Sequence, residues 1–162
     1  MAGPIIAEGK TCGDCGLCCK LMGVKSLEKP QSVWCQHFKR GLGCKIYEDR
    51  PHDCGEFICY WLHAPNLGDE WRPDRAGFLM HLADGGTRLA VEVDLATPNA
   101  WRKEPYISQI RAWAEQGRAR GLALHVWVGR RAYEVTPAGE IDLGLKRPSA
   151  AEVRGGAKVK RR

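Results

Sequence analysis

The sequence predicts an α+β protein: an irregular Cys-rich metal-binding N-terminal module packed on a small β-β-α-β-β layer. Three observations predict it. All eight cysteines fall between Cys12 and Cys59, and none lies in the 103 residues that follow. From about Gly77 the chain shows strand alternation, then helical spacing, then strand alternation again. After Leu145 there are seven cations and one anion, which account for the whole net charge of +6 and leave eighteen of each sign before them. A chain of 162 residues suits one domain, or one domain with a small module.

The elements follow in order. Residues 1–11 read as a flexible lead-in, without the basic stretch and apolar run of a signal peptide. Residues 12–61 form the cysteine-cluster module, rich in Cys and Gly and poor in regular hydrophobic period. Such a segment lacks an apolar core and needs a staple, for which metal is the obvious candidate. Residues 62–145 form the α+β layer. GFLMHLA reads as a strand and Asp84 to Thr87 as a glycine turn. TRLAVEVD alternates, with Leu89, Val91 and Val93 on one face. Pro98 and Asn99 break the chain. Ile107, Ile110 and Ala114 then recur at helical spacing, with Pro105 at the first turn and Gly121 as the stop. LALHVWV and RAYEV are strands joined at Gly129 and Arg130, and EIDL is a short final one. Residues 146–162 are a basic tail expected to be disordered. No stretch approaches the roughly 18 apolar residues of a membrane span. A cytoplasmic location with reduced thiols is therefore expected.

The cysteine spacing carries the chemistry. Cys12, Cys15, Cys18 and Cys19 make C-x2-C-x2-C-C, followed by Cys35, Cys44, Cys54 and Cys59. A C-x2-C turn brings two thiolates onto one ion, and Gly13 and Gly16 relieve crowding there. C-x2-C-x2-C resembles the first part of a bacterial ferredoxin run, which puts iron–sulfur slightly ahead of zinc, while the missing Cys-Pro ending weakens the iron–sulfur reading. A zinc ribbon would show two C-x2-C knuckles, and only one is present. Adjacent residues in extended backbone point to opposite sides. Cys18 and Cys19 therefore serve two centres, or one polynuclear centre, or one of them is a spectator. Eight thiols equal two sets of four, with the grouping open. Three other uses of this sulfur are less favoured. Disulfides suit an oxidising compartment, burial as small hydrophobes suits one or two cysteines, and a thioredoxin pair needs a strand before and a helix after it.

CGDCGLCCK, WCQHF and GCKIYEDRPHDCGEFIC together resemble the CxxCxxCC cysteine-cluster family (YkgJ-like proteins), a zinc- or iron-chelating domain also found in flagellin lysine N-methylases. The resemblance runs over about residues 10–61. It rests on Cys12, Cys15, Cys18, Cys19, Cys35, Cys44, Cys54 and Cys59 together with Ile46, Tyr47, Arg50 and Pro51. It implies metal chelation by the eight cysteines, with iron or zinc as cofactor, and supplies no reaction.

Other residues take lesser roles. Arg50 is expected as a loop brace, pairing with Glu48, Asp49 or Glu56, and as a donor toward the thiolates. His37, His52 and His63 stand near enough in sequence to replace a thiolate, His37 best of them. His81 and His125 are expected to be structural. Asp14 is expected to be solvated, and Glu92 and Asp94 to form the polar side of a strand. The six tryptophans fit packing better than base stacking, with Trp34 and Trp61 sealing the module. The expected partners are metal ions and a protein. Nucleic acid through the basic tail is a third, salt-dependent option. The function expected is a thiolate metal-binding protein. The alternatives are a metal-dependent redox or protein-modification accessory enzyme of methylase-like type, or a zinc-stabilised nucleic-acid adaptor.

Overall fold

The computed structural model describes residues 5–147. It is α+β, with a five-stranded sheet and a two-stranded one. The front segment contains α1 (Leu17–Leu21), the two-stranded hairpin β1 (Phe38–Lys39) and β2 (Gly43–Cys44), α2 (His52–Glu56) and α3 (Tyr60–His63). A short α4 (Pro73–Ala76) leads into β3 (Phe78–Ala83). The rest is β4 (Arg88–Val93), α5 (Tyr106–Arg118), β5 (Ala123–Val128), β6 (Arg131–Thr136) and β7 (Gly139–Leu145).

The order in the sheet is β3-β4-β5-β6-β7, antiparallel except for β4 and β5, which run parallel with α5 as the crossover. A parallel pair needs such a crossover and sits where both faces are covered. β4 accordingly buries Leu89, Ala90, Val91, Glu92 and Val93 in one run, in place of the alternation expected. α5 lays Ile110 and Ala114 into the core, as the helical spacing predicts, and Trp71, Phe78, Tyr106 and Trp113 form an aromatic cluster beside it. The turn between β3 and β4 holds Asp84, Gly85 and Gly86 at positive φ. The final strand is longer than EIDL, running from Gly139 to Leu145.

One buried cluster joins the two halves of the chain. Leu17 and Leu21 of α1, and Cys59, Trp61 and Leu62 around α3, belong to the same core as Phe78, Val91, Ile110 and Val126. The front segment thus has two apolar anchors, more than its composition predicts. Between them the expectation of a missing interior holds: from residue 31 to residue 58 only Gly43 is buried. That stretch carries Cys35, Cys44 and Cys54.

The first two residues of the expected tail are part of the fold. Lys146 N–H donates to the Arg130 carbonyl at 2.8 Å, and Arg147 forms two hydrogen bonds to the Glu92 carboxylate, at 2.6 and 2.7 Å. The remaining tail, 148–162, lies outside the described residues.

Candidate metal centre

The cysteine site is built from a turn, a hairpin and the starts of two short helices. Cys15 N–H donates to the Cys12 carbonyl and Cys19 N–H to that of Gly16, both at 2.9 Å, so the C-x2-C turn winds directly into α1. Gly16 is where Phe38 packs on this turn: a Cβ there would lie 1.8 Å from the Phe38 ring. Gly43 has φ +81°, and a Cβ on it would lie 2.7 Å from the Gly13 carbonyl. Glycine at these two positions lets the β1–β2 hairpin close on the turn and bring Cys44 against it. Cys35 N–H donates to the Cys19 carbonyl at 2.9 Å, placing Cys35 beside α1. Cys54 lies in α2, and Cys59 precedes α3 and is buried.

All eight thiols are free. Cys12, Cys15, Cys18, Cys44, Cys54 and Cys59 line one cavity of about 110 Å³, while Cys19 and Cys35 lie outside that lining. Among the described residues, no three Cys, His, Asp or Glu side chains form a group that could hold a metal ion as they stand. The donor set nevertheless fits a soft cation chemically, since it consists of unoxidised sulfurs around one small cavity.

The thiols differ in their ease of ionisation. Burial pushes Cys12, Cys15 and Cys54 up, and Cys59 up to about 11. Cys18 and Cys19 split apart. The hydrogen bond between them, followed by burial, raises Cys18 well above the usual thiol range. The same bond brings Cys19 down to about 7, with Lys29 adding to the effect. Of the pair, Cys19 is the easier to ionise.

The neighbouring residues mostly brace. Arg50 engages the ring of Tyr47 at 4.1 Å and donates to its carbonyl at 2.5 Å, in place of the carboxylates expected. Tyr47, three residues before Arg50, offers it both a carbonyl and a ring face within reach. Tyr47 and Cys12 border the same cavity. Asp14 is exposed but ion-paired to Arg72 at 2.5 Å, and Arg72 also reaches Asp74 at 3.0 Å, which ties the turn to α4. The His37 backbone N–H lies 3.5 Å from Cys35 Sγ, while its imidazole faces Gln36. His52 lies 4.0 Å from Glu56, and His63 stacks edge-on against Tyr60. None of the three histidines lies in a metal-holding group.

Glu92 and Asp94, expected as the polar side of a strand, are both ion-paired, and the strand ends at Val93 before Asp94. Asp94 pairs with Lys20 at 2.7 Å, and Glu92, 4% exposed, is held by Arg147 and by His81 Nε2 at 3.2 Å. His125 is half-buried on β5, which lowers its pKa. Trp61, Trp71 and Trp101 are buried, which supports packing over base stacking. Trp34 is 48% exposed, stacked on Phe38 with Lys20 over its ring, so of the expected pair only Trp61 is buried against the module. Sequence reasoning missed Lys10 and Lys29, both anchored on backbone carbonyls beside the thiols. Nothing in their spacing distinguishes them from surface lysines. No helix among the described residues is long and apolar enough to cross a membrane. No family model, curated protein or solved structure matches the chain.

Proposed function

We propose that the chain is a cysteine-thiolate metal-binding protein, its front module related to the CxxCxxCC cluster family that residues 10–61 resemble. The observation that carries this reading is that six of the eight free thiols border one cavity. Two further facts support it. Cys35, Cys44 and Cys54 sit on a stretch that buries only Gly43, where a metal staple has most to contribute, and several of the other thiols have pKa values raised by burial, which a bound cation would offset by fixing them as thiolates. The cation is iron, most simply as an iron–sulfur cluster, or zinc, and the cytoplasm is the compartment that keeps such thiols reduced.

Anaerobic purification with elemental analysis and a sulfide assay tests the proposal. Iron with sulfide and visible charge-transfer absorption is the expected result, and stoichiometric zinc in colourless protein selects the zinc form. Native protein without any metal overturns it. Because ligand thiols must lose protons, metal retention should fall steeply as pH falls.

A redox or protein-modifying accessory role is the second reading, and one observation favours it. An open cleft of about 420 Å³, walled by Ile6, Leu42 and Tyr47, reaches Cys12 and Cys44 from solvent. A centre with that access can meet a partner protein, whereas a closed structural zinc has no use for it. Reversible bleaching by a one-electron reductant would support this role. An inert, colourless zinc protein would remove it.

A further inference from the structure

We infer that the cleft over Cys12 and Cys44 docks an acidic protein segment. An apolar side chain of that segment enters between Ile6, Leu42 and Tyr47, and its carboxylates meet Lys39, Arg40 and Lys45. The inference rests on the second reading above, a centre that meets a partner protein, and names the chemistry of that partner.

The apolar part comes from side chains that the fold holds in the open. Leu42 is 68% exposed, Ile6 47% and Tyr47 40%, and all three wall this one cleft. Leu42 does not hang from a loose loop. Its N–H closes the β1–β2 turn onto the Lys39 carbonyl at 3.0 Å. Below that turn Phe38 packs on the Gly16 backbone and Gly43 lies against the Gly13 carbonyl, so the hairpin is seated at both strands. Single exposed apolar residues are ordinary on a protein surface, whereas a group of them around one opening marks a place where another molecule sits.

The charge of the opening selects that molecule. From Cys35 to Tyr47 the chain carries Lys39, Arg40 and Lys45 and no acid. All three are exposed, and among the described residues their charged groups have no hydrogen-bond, ion-pair or ring partner. Lys10 borders the cleft and Arg50 the adjoining thiol cavity, while no Asp or Glu lines either one. Glu8, Glu48 and Asp49 are close in sequence but stand outside both linings, and Asp14 is already paired with Arg72. Unpaired cations beside an apolar opening are complementary to carboxylates flanking an apolar side chain, and such complementarity sets partner choice and encounter rate. Two other anionic partners fit less well. A nucleic acid stacks its bases on open aromatic faces, but Arg50 covers Tyr47 at 4.1 Å and Phe38 stacks on Trp34 at 4.4 Å. A lipid surface takes up an apolar face laid flat on it, but Ile6, Leu42 and Tyr47 surround a hollow of about 420 Å³.

The probe is a short fluorescein-labelled peptide of glutamates and glycines interrupted by leucine, titrated with the full chain and read by anisotropy. Binding that weakens as salt rises is expected. Leu42→Ser, and separately the combined Lys39→Glu, Arg40→Glu and Lys45→Glu variant, should each weaken it by about ten-fold. Replacing the peptide's leucine by serine, or its glutamates by lysine, should do the same and leaves the protein untouched. Circular dichroism checks the fold of each variant. An unbound peptide, unchanged affinity in folded variants, or tighter binding to single-stranded RNA or to phosphatidylserine vesicles overturns the proposal. Elemental analysis of the same samples separates it from the reading it rests on. Metal-loaded protein that ignores the peptide overturns the docking site alone, and metal-free protein that still binds it overturns the metal centre alone.

Discussion

Cys18 and Cys19 are neighbours in the chain with opposite ionisation. In metal-free protein Cys19, at about 7, is near half thiolate at neutral pH, whereas Cys59, at about 11, is almost wholly protonated. Since the thiolate is the nucleophile, iodoacetamide at pH 7 should alkylate Cys19 well before Cys59, as read by peptide mass spectrometry. Cys18→Ala removes the hydrogen-bond partner and should slow alkylation at Cys19 by several-fold. Equal rates in both proteins would show that the pair does not act this way. The glycines are equally specific. Gly16 and Gly43 are needed because Phe38 and the Gly13 carbonyl occupy the space a Cβ would fill. The sequence shows that these glycines stand near cysteines but not what they admit.

At the scale of elements, the front segment is pinned at α1 and α3 and loose between them. Leu17 and Leu21 hold one end and Cys59, Trp61 and Leu62 the other, while residues 31–58 bury only Gly43. Apolar burial contributes about 25 cal/mol per Å², so this middle stretch gains little from it. Removing metal with a chelator should therefore raise amide hydrogen exchange in residues 31–58 by at least ten-fold and leave β4, β5 and β6 unchanged. Full protection of 31–58 in metal-free protein would show that it needs no staple. The raised thiol pKa values of Cys12, Cys15 and Cys54 set the direction of the pH effect, because protons compete with metal more strongly as pH falls.

Across the whole molecule, the Glu92 site links strands that are far apart in the chain. Burial alone would raise the Glu92 pKa, but the hydrogen bonds from Arg147 and His81 outweigh it and hold the carboxyl below its ordinary value of 4.5. A depressed carboxyl stabilises the fold fully above the unfolded value and loses that contribution as pH falls through the folded one. Glu92→Gln should cost about 3–5 kcal/mol near neutral pH, as when one partner of a buried pair is removed. It should also flatten the acid loss of stability below about pH 4.5. Denaturant unfolding across pH measures both effects, and an unchanged profile would place Glu92 outside the stabilising network. Arg147 also packs over Trp127 at 3.7 Å, so truncation before Arg147 should reproduce part of the loss.

Local signals determined the α+β class and the order of the sheet elements. Period-two and period-3.6 patterns, with glycine and proline between them, depend only on neighbouring residues, and the strands at Phe78, Arg88, Ala123 and Arg131 and the helix at Tyr106 follow them. Cysteine spacing likewise marked out the cysteine-cluster module and its eight candidate ligands. What tertiary structure decided is everything that depends on residues distant in the chain. It paired β4 with β5 in parallel, buried Glu92 under Arg147, joined α1 and α3 to the sheet core, and placed six thiols around one cavity and two outside it. It also set Lys10 and Lys29 beside the sulfurs, 49 residues from Cys59 in one case and ten from Cys19 in the other. The physical reason is that a helix turn or a strand alternation is written in adjacent side chains. The charge environment of a thiol is written only when the chain closes around it.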